Sequence, residues 1–206
     1  NLERVNEKPF DDRSKAMRQI VIKSKTASPE DIKAYVKKLT SAQTKNTNKL
    51  KIAVQGFGNV GSFFAKIASD NPNWQVVAVS DSSATVIDDN GLDINKLIEF
   101  KKRDQLKNCD FARTDSVEKI FSLDVDILVL AALDNAVNDS NKDTIKSSTL
   151  LELANSPIDT RAEEYLLGQG KVIIPDIIAN SGGVIVSFRE WMQNKQGQTW
   201  TEAEVN

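Results

Sequence analysis

Histidine is absent from this sequence of 206 residues, and cysteine occurs once, at Cys109. The first absence excludes histidine–metal sites, the Ser-His-Asp triad, the Cys-His dyad and any imidazole general base. The second excludes an intramolecular disulfide and fits a reducing compartment, so a cytoplasmic location is expected. No stretch approaches the roughly 18 apolar residues that a membrane-spanning helix needs. The opening NLERVNEKPF also lacks the apolar core of a signal peptide. Nor is the chain basic: 27 Lys and Arg face 29 Asp and Glu, for a net charge of −2. Phosphate backbones call for a basic face, so neither nucleic acid nor membrane is expected as a partner. No internal repeat and no low-complexity tract is present. Chemistry must therefore come from carboxylates, lysines, hydroxyls or a bound cofactor, with no metal site expected.

What the chain does have is alternation. Residues 1–27 are polar apart from Ile20, Val21 and Ile22. A helix then opens at Ser28 as cap, with Pro29 in its first position, and carries Ile32, Tyr35, Val36 and Leu39 on one stripe. The polar stretch at 40–49 reads as a connector, so residues 1–49 are expected to be a helical lead-in packed on a domain spanning 50–206. From Leu50 onward, short apolar runs alternate with helical patterns. Strands are expected at Leu50–Val54, Gln75–Val79, Asp126–Leu130, Thr149–Leu153 and Val172–Ile174. Helices are expected at Val60–Ser69, with Phe63, Phe64 and Ile67 inward, and at Leu92–Leu106, with Ile94, Leu97 and Ile98 inward. A short helix at Val117–Phe121 and another at Thr160–Gly168 each follow a capping-box spacing, Asp115 with Glu118 and Thr160 with Glu163. Continuously apolar strands separated by helices mark a parallel sheet covered on both faces and joined by right-handed crossovers. The expected class is α/β, a doubly wound and mostly parallel sheet with a C-terminal helical segment.

The sharpest local signal is KIAVQGFGNVGSFFAKIA at 51–68. Gly56, Gly58 and Gly61 form G-x-G-x-x-G directly after a strand and at the opening of a helix. Gly56 would permit the tight turn, Gly58 the approach of a pyrophosphate, and Gly61 close packing of helix on strand. The first helical N–H groups, around Phe57, Asn59 and Val60, would then face the phosphates, and the helix dipole favours their charge. Asp81 closes the second strand twenty residues beyond Gly61, where an acid bonds the adenosine ribose hydroxyls. This is the pattern of a Rossmann-type domain that holds NAD. NADP is possible too, because Ser82 and Ser83, or a nearby base, could seat a 2′-phosphate.

Beyond the loop, the run of motifs resembles the cofactor domain of the glutamate, leucine, phenylalanine and valine dehydrogenases. The likeness rests on QGFGNVGS, VVAVSDS, NGLDINKLIEFKK, AALDNAV at 131–137, ELANSPIDTRAEEYL at 152–166 and IPDIIANSGGVIVSFREWMQN at 174–194. It covers about residues 50–206. The long helix after Asp93 and the Glu190-Trp191 pair favour glutamate dehydrogenase. The resemblance implies that Gly56, Phe57, Gly58, Asn59, Val60, Gly61, Asp81 and Ser82 hold the adenosine and phosphate half, with Ala131 and Ala132 beside it. Asn155 would meet the nicotinamide ribose side, and Asn180 the carboxamide. Gly182 and Gly183 would pass close to the ring, and Ser187 would bind a substrate carboxylate. Turn-forming roles for Asn155 and Asn180, and an ordinary hydroxyl at Ser187, stand as alternatives.

The implied activity is NAD(P)-dependent oxidative deamination of L-glutamate to 2-oxoglutarate and ammonium. The family's catalytic lysine and aspartate lie in an N-terminal substrate domain that is not recognised here. No catalytic residue is therefore expected in this chain, which alone should bind cofactor without turnover. The amino-acid or 2-oxoacid substrate would be shared with that missing domain, and the full-length protein would be a homo-oligomer, typically a hexamer. The sequence departs from the family pattern at Met17, Arg18, Leu130, Ser156 and Ile158, which keeps open a regulatory dinucleotide-binding module without catalysis. The bases Lys101, Lys102 and Arg103 read as a solvated helix face, Cys109 as incidental, and Trp191 and Trp200 as packing for the C-terminal segment.

Overall fold

A computed structural model describes residues 49–197 and 199–201. The expected lead-in, with Met17, Arg18 and the helix opening at Ser28, lies outside the described residues. A compact unit begins at Leu50. Its strands are β1 (Leu50–Gln55), β2 (Trp74–Ser80), β3 (Thr85–Ile87), β4 (Arg113–Asp115), β5 (Ile127–Leu130), β6 (Thr149–Glu152) and β7 (Val172–Ile174). Its helices are α1 (Asn59–Ser69), α2 (Ile94–Lys101), α3 (Thr160–Gly168), α4 (Asp176–Ala179) and α5 (Ser181–Gln196), with short 3₁₀ turns at Leu106–Asn108, Val117–Ser122 and Lys142–Thr144.

The seven strands form one sheet in the order β4-β3-β2-β1-β5-β6-β7. From β2 to β7 neighbouring strands are parallel, as expected from their apolar runs. The edge differs from the expectation. After β2 the chain does not cross over through a helix but folds straight back, so β3 and then β4 add antiparallel strands. Each is only three residues long, too short for a periodic signal. The reversal is local chemistry: Asp81 N–H donates to the Ala84 carbonyl at 3.0 Å, and the Asp81 carboxylate accepts from the Ser83 and Ala84 amides at 2.7 and 3.2 Å. An aspartate that bonds its own backbone two and three residues on makes a turn.

Each face of the sheet carries an apolar cluster, and the strands alternate between them as the pleat requires. Ile52, Val54, Val79 and Val129 pack with Ala65, Ala68, Ile94, Leu97 and Leu106 on the α1–α2 face. Ala53, Leu128, Leu130 and Leu150 pack with Ile120, Phe121, Ala162 and Leu166 on the other. A register shift between Ile52 and Ala53 leaves Val77 unpaired with β1. Val77 and Ala78 therefore sit in the same cluster.

Several local expectations are corrected. α1 buries Gly61, Ala65 and Ala68, whereas Phe63 and Ile67 are exposed and Phe64 is only partly buried. The small residues face inward because the helix lies so close to the sheet that a larger side chain would not fit. α2 stops at Lys101, well before Leu106. Asp104 turns the chain there, accepting from Gln105 N and Asn108 Nδ2, both at 2.7 Å, an alternative to helix that short polar side chains offer. The cap of α3 is Asp159, which accepts from the Arg161 and Ala162 amides, rather than Thr160. The Val117–Ser122 segment is a 3₁₀ turn without a side-chain cap bond; Asp115 instead accepts from the adjacent Ser116 N–H. Cys109 is buried in the α1–α2 cluster as a small apolar group.

Candidate functional site

Because β2, β1, β5, β6 and β7 run parallel, their carboxyl ends share one edge of the sheet. Gln55, Ser80, Leu130, Glu152 and Ile174 mark it. The chain leaves β1 for α1 on one face, and its later crossovers cover the other. The crevice between β1 and β5 is thus the point where the winding reverses, the usual ligand position in an open α/β sheet.

The glycine loop sits at that point. Gly56 has φ of +95°, and a Cβ there would lie 2.7 Å from Ala132 Cβ and 2.8 Å from the Ala131 carbonyl group. Ala131 N–H donates to the Gln55 carbonyl at 2.8 Å. Loop and β5 extension therefore touch, and Ala131 and Ala132 border the glycine loop. A Cβ on Gly61 would fall 1.8 Å from the Gly56 carbonyl oxygen, so only glycine lets α1 press against the loop. Gly58 is different: a Cβ there meets nothing within 4 Å. Its side is open to the crevice, as an approach path for a phosphate requires.

Gly58 is also the N-cap of α1, which has no side-chain cap bond and no acidic residue in its first turn. The Asn59, Val60 and Gly61 amides at that end have no partner from the helix itself. Together with the dipole they make a seat for an anion. Asn59 and Val60 are exposed there, whereas Phe57 turns into the core and gives its amide to the Ser80 carbonyl at 2.7 Å. Beneath the loop, Gln55 Oε1 is buried with no hydrogen-bond partner among the described residues. The open cradle at Gly58 fits a dinucleotide's phosphates.

Asp81 lies at the end of β2, as the spacing predicts, but it is not a free acid. One carboxylate oxygen takes the turn amides and the Ser83 hydroxyl. The other pairs with the Lys101 ammonium from the end of α2. Lys101 is thus part of the site's edge, which corrects its reading as a solvated base. Ser82 is exposed beside the pair.

The far end of the crevice is joined by bonds that sequence spacing does not reveal. Asn180 Nδ2 donates to Asn155 Oδ1 at 2.8 Å across 25 positions, so the two asparagines do come together. Asp176, the first residue of α4, accepts from Ser156 N–H at 2.9 Å, while its own N–H donates to Glu152 Oε2 at 3.0 Å. Ser156 has φ of +44°, the left-handed region that glycine adopts most easily. Ser156 therefore holds under strain a conformation that glycine would adopt freely. Glu152 is nearly buried. Burial raises its pKa; the Asp176 amide opposes that rise, and the Asp176 and Glu163 carboxylates add to it. Glu152, Asp176 and Lys101 were the residues missed. The available signal was an acid ending an otherwise apolar strand. Ser187 is exposed on α5, along with Val184, Ile185, Phe188 and Trp191. Trp191 stacks on Phe188 of the same helix with ring centroids 5.9 Å apart, a contact within the C-terminal segment.

With this geometry in place, the comparisons decide the family. Residues 25–206 match the model of the Glutamate/Leucine/Phenylalanine/Valine dehydrogenase family. The chain belongs to that family. It is 42 % identical over 158 residues to an NAD-specific glutamate dehydrogenase of Staphylococcus aureus, a match covering 76 % of this chain and 37 % of that protein. It resembles the hetero-hexameric glutamate dehydrogenase of Thermus thermophilus in its leucine-bound form, with a TM-score of 0.70 and 29 % identity, over 82 % of this chain and 40 % of that one. The glutamate dehydrogenase of Peptoniphilus asaccharolyticus gives a TM-score of 0.61 at 33 % identity, over 82 % and 39 %. The chain thus matches about two fifths of the length of these relatives.

Two outcomes are expected from the geometry. Gly61→Ala should destabilise the fold by about 3 kcal/mol or more, since overpacking against backbone finds no room, whereas Gly58→Ala should cost less than about 1 kcal/mol; chemical denaturation measures both. Glu152 should make stability pH-dependent. Its folded pKa is raised, so its contribution is full below its ordinary value of 4.5 and is lost as pH rises through the folded pKa. On going from pH 4.5 to pH 8, the wild-type chain should therefore lose more stability than Glu152→Gln, which keeps an acceptor for the Asp176 amide.

Proposed function

We propose that this chain is the cofactor-binding part of a glutamate dehydrogenase-type oxidoreductase that uses NAD. The observation carrying this reading is the cradle at Gly58: an uncapped helix N-terminus facing open space, pressed against the β1–β5 crevice by Gly56 and Gly61. The pyrophosphate would lie on the amides of Asn59, Val60 and Gly61. The adenosine half would run toward Asp81 and Ser82, past Ala131 and Ala132. The nicotinamide half would extend toward the Asn155–Asn180 pair. When bound, the nicotinamide supplies a hydride acceptor and donor at its C4. The protein's share here is orientation: Asn180 offers its amide to the carboxamide, and Asp176 holds the Ser156 turn in place.

The glutamate preference follows from the relatives' names and from the sequence likeness. Proton chemistry on the substrate would fall to residues in the remaining three fifths of such a protein. Ser187 would contribute to the substrate's carboxylate from α5, and assembly as a hexamer would likewise involve the longer protein. The chain by itself should then bind cofactor and show no turnover.

Titration of the purified chain with NADH, followed by nicotinamide fluorescence, tests this. Saturable binding that weakens at least about a hundredfold in Gly58→Val, with the thermal midpoint little changed, is expected. Absence of binding up to millimolar NADH, or equal binding by Gly58→Val, would overturn the reading.

A further inference from the structure

We propose that Lys171 is a site of acylation, at which its ε-amine takes the acyl group of an acyl phosphate and the resulting amide is held by Ser147. The two residues lie at the amino ends of β7 and β6. That is the edge of the sheet opposite the glycine loop, and the inference is independent of the dinucleotide reading above.

Three lysines of this domain are fixed as cations by carboxylates: Lys101 by Asp81, Lys102 by Glu99 and Lys142 by Asp139. Lys171 is held differently. Its Nζ donates to the Ser147 carbonyl at 2.8 Å, across 24 positions, and it forms no ion pair among the described residues. The residue is partly buried. Its backbone is anchored, because Lys171 N–H donates to the Leu166 carbonyl at 3.1 Å and Val172 N–H to the Ser148 carbonyl at 2.9 Å. Charges on the neighbouring elements do not hold the ammonium. Asp126, just before β5, accepts the Lys51 N–H on its carboxylate at 2.7 Å and the Ser148 hydroxyl on its carbonyl at 3.1 Å. Lys146 is exposed, and α3 carries Arg161, Glu163 and Glu164. Burial alone lowers the Lys171 pKa from its ordinary value.

A carboxylate favours only the charged form of a lysine. A carbonyl accepts an N–H from an ammonium, an amine or an amide alike. Loss of the proton therefore breaks no bond at Ser147, and it relieves the cost of a partly dry cation. The neutral amine keeps one N–H on the carbonyl and has its lone pair free. That lone pair attacks the carbonyl carbon of the acyl phosphate. The C–N bond forms, the bond from that carbon to the phosphate oxygen breaks, and phosphate leaves with the electron pair while the surplus proton passes to water. In the product the amide N–H still serves the Ser147 carbonyl. Ser147 also supplies a second bond. The residue is 1 % exposed, and its hydroxyl has no hydrogen-bond partner among the described residues. A buried hydroxyl left unpaired costs free energy, and an acyl oxygen on the lysine beside it provides the acceptor. The pocket at Lys171 is thus matched to a neutral amide rather than to a cation.

The test is a timed reaction of the whole wild-type chain with acetyl phosphate at pH 7.5 and at pH 10.5, with acetylation at each lysine read by peptide mass spectrometry. At pH 7.5 Lys171 should react at least about threefold faster than the exposed Lys66 and Lys146. At pH 10.5, where every amine is largely neutral, the ratio should fall to about one or below. A second measurement uses the whole chain with acetyl-lysine installed at position 171. Its thermal midpoint should equal or exceed that of the unmodified chain. Ser147→Ala should lower the midpoint of the acetylated form by about 2 to 4 °C, as for one lost hydrogen bond, and leave that of the unmodified form unchanged or higher. Reaction at Lys171 no faster than at Lys66 and Lys146 at pH 7.5 overturns the proposal. So does an advantage that persists at pH 10.5, which would reflect access alone. An acetylated chain less stable than the unmodified one, or Ser147→Ala lowering both forms equally, overturns it as well.

Discussion

How near α1 can come to the end of β1 governs everything at the mouth of this sheet. The Gly61 backbone stands so close to the Gly56 carbonyl that one added carbon would overlap it, at 1.8 Å. That approach aims the first amides of α1 at the crevice. It also explains why α1 buries alanines at 65 and 68 and leaves Phe63 and Ile67 outside. On the other side, Gly56 can take φ of +95° and admit the Ala131–Ala132 backbone only because it has no side chain. A loop pinned from both sides leaves Gly58 as the one motif glycine with free space before it. The anion seat is therefore a by-product of helix–strand packing, and a change that loosens the packing removes the seat.

The parallel core was legible because its strands carry continuous apolar runs, such as Leu128–Leu130 and Ile52–Val54, buried on both faces. The glycine loop was legible because its spacing encodes three separate backbone constraints. The antiparallel edge was not. β3 and β4 are three residues each, and the reversal that creates them depends on one aspartate bonding its own turn. Helical orientation was misread at α1 because hydrophobicity alone favours Phe63 and Ile67, whereas close approach to the sheet selects small residues.

Site residues divide in the same way. Those named by a motif, Gly56 through Gly61, Asp81, Ala131, Ala132, Asn155 and Asn180, do gather along the carboxyl edge of the sheet. The residues that tie them together were invisible, because Glu152 with Asp176 and Asp81 with Lys101 are pairs made by the fold, 24 and 20 positions apart. The result is a crevice whose two ends are each held by a carboxylate. At one end Asp81 serves a turn and a lysine; at the other Asp176 serves a strained serine and a buried glutamate. Ser156 shows the consequence: a residue with a side chain is kept at positive φ by a hydrogen bond to Asp176.

The central claim is that a dinucleotide lies on the α1 amides beside the β1–β5 crevice. Amide hydrogen exchange of the chain with and without saturating NADH tests it most directly. The account predicts slowed exchange at the 58–62 amides, with smaller effects around 131–132 and 155, and little change along α5. Protection confined to α5, or unchanged exchange at 58–62 when NADH is bound, would contradict it.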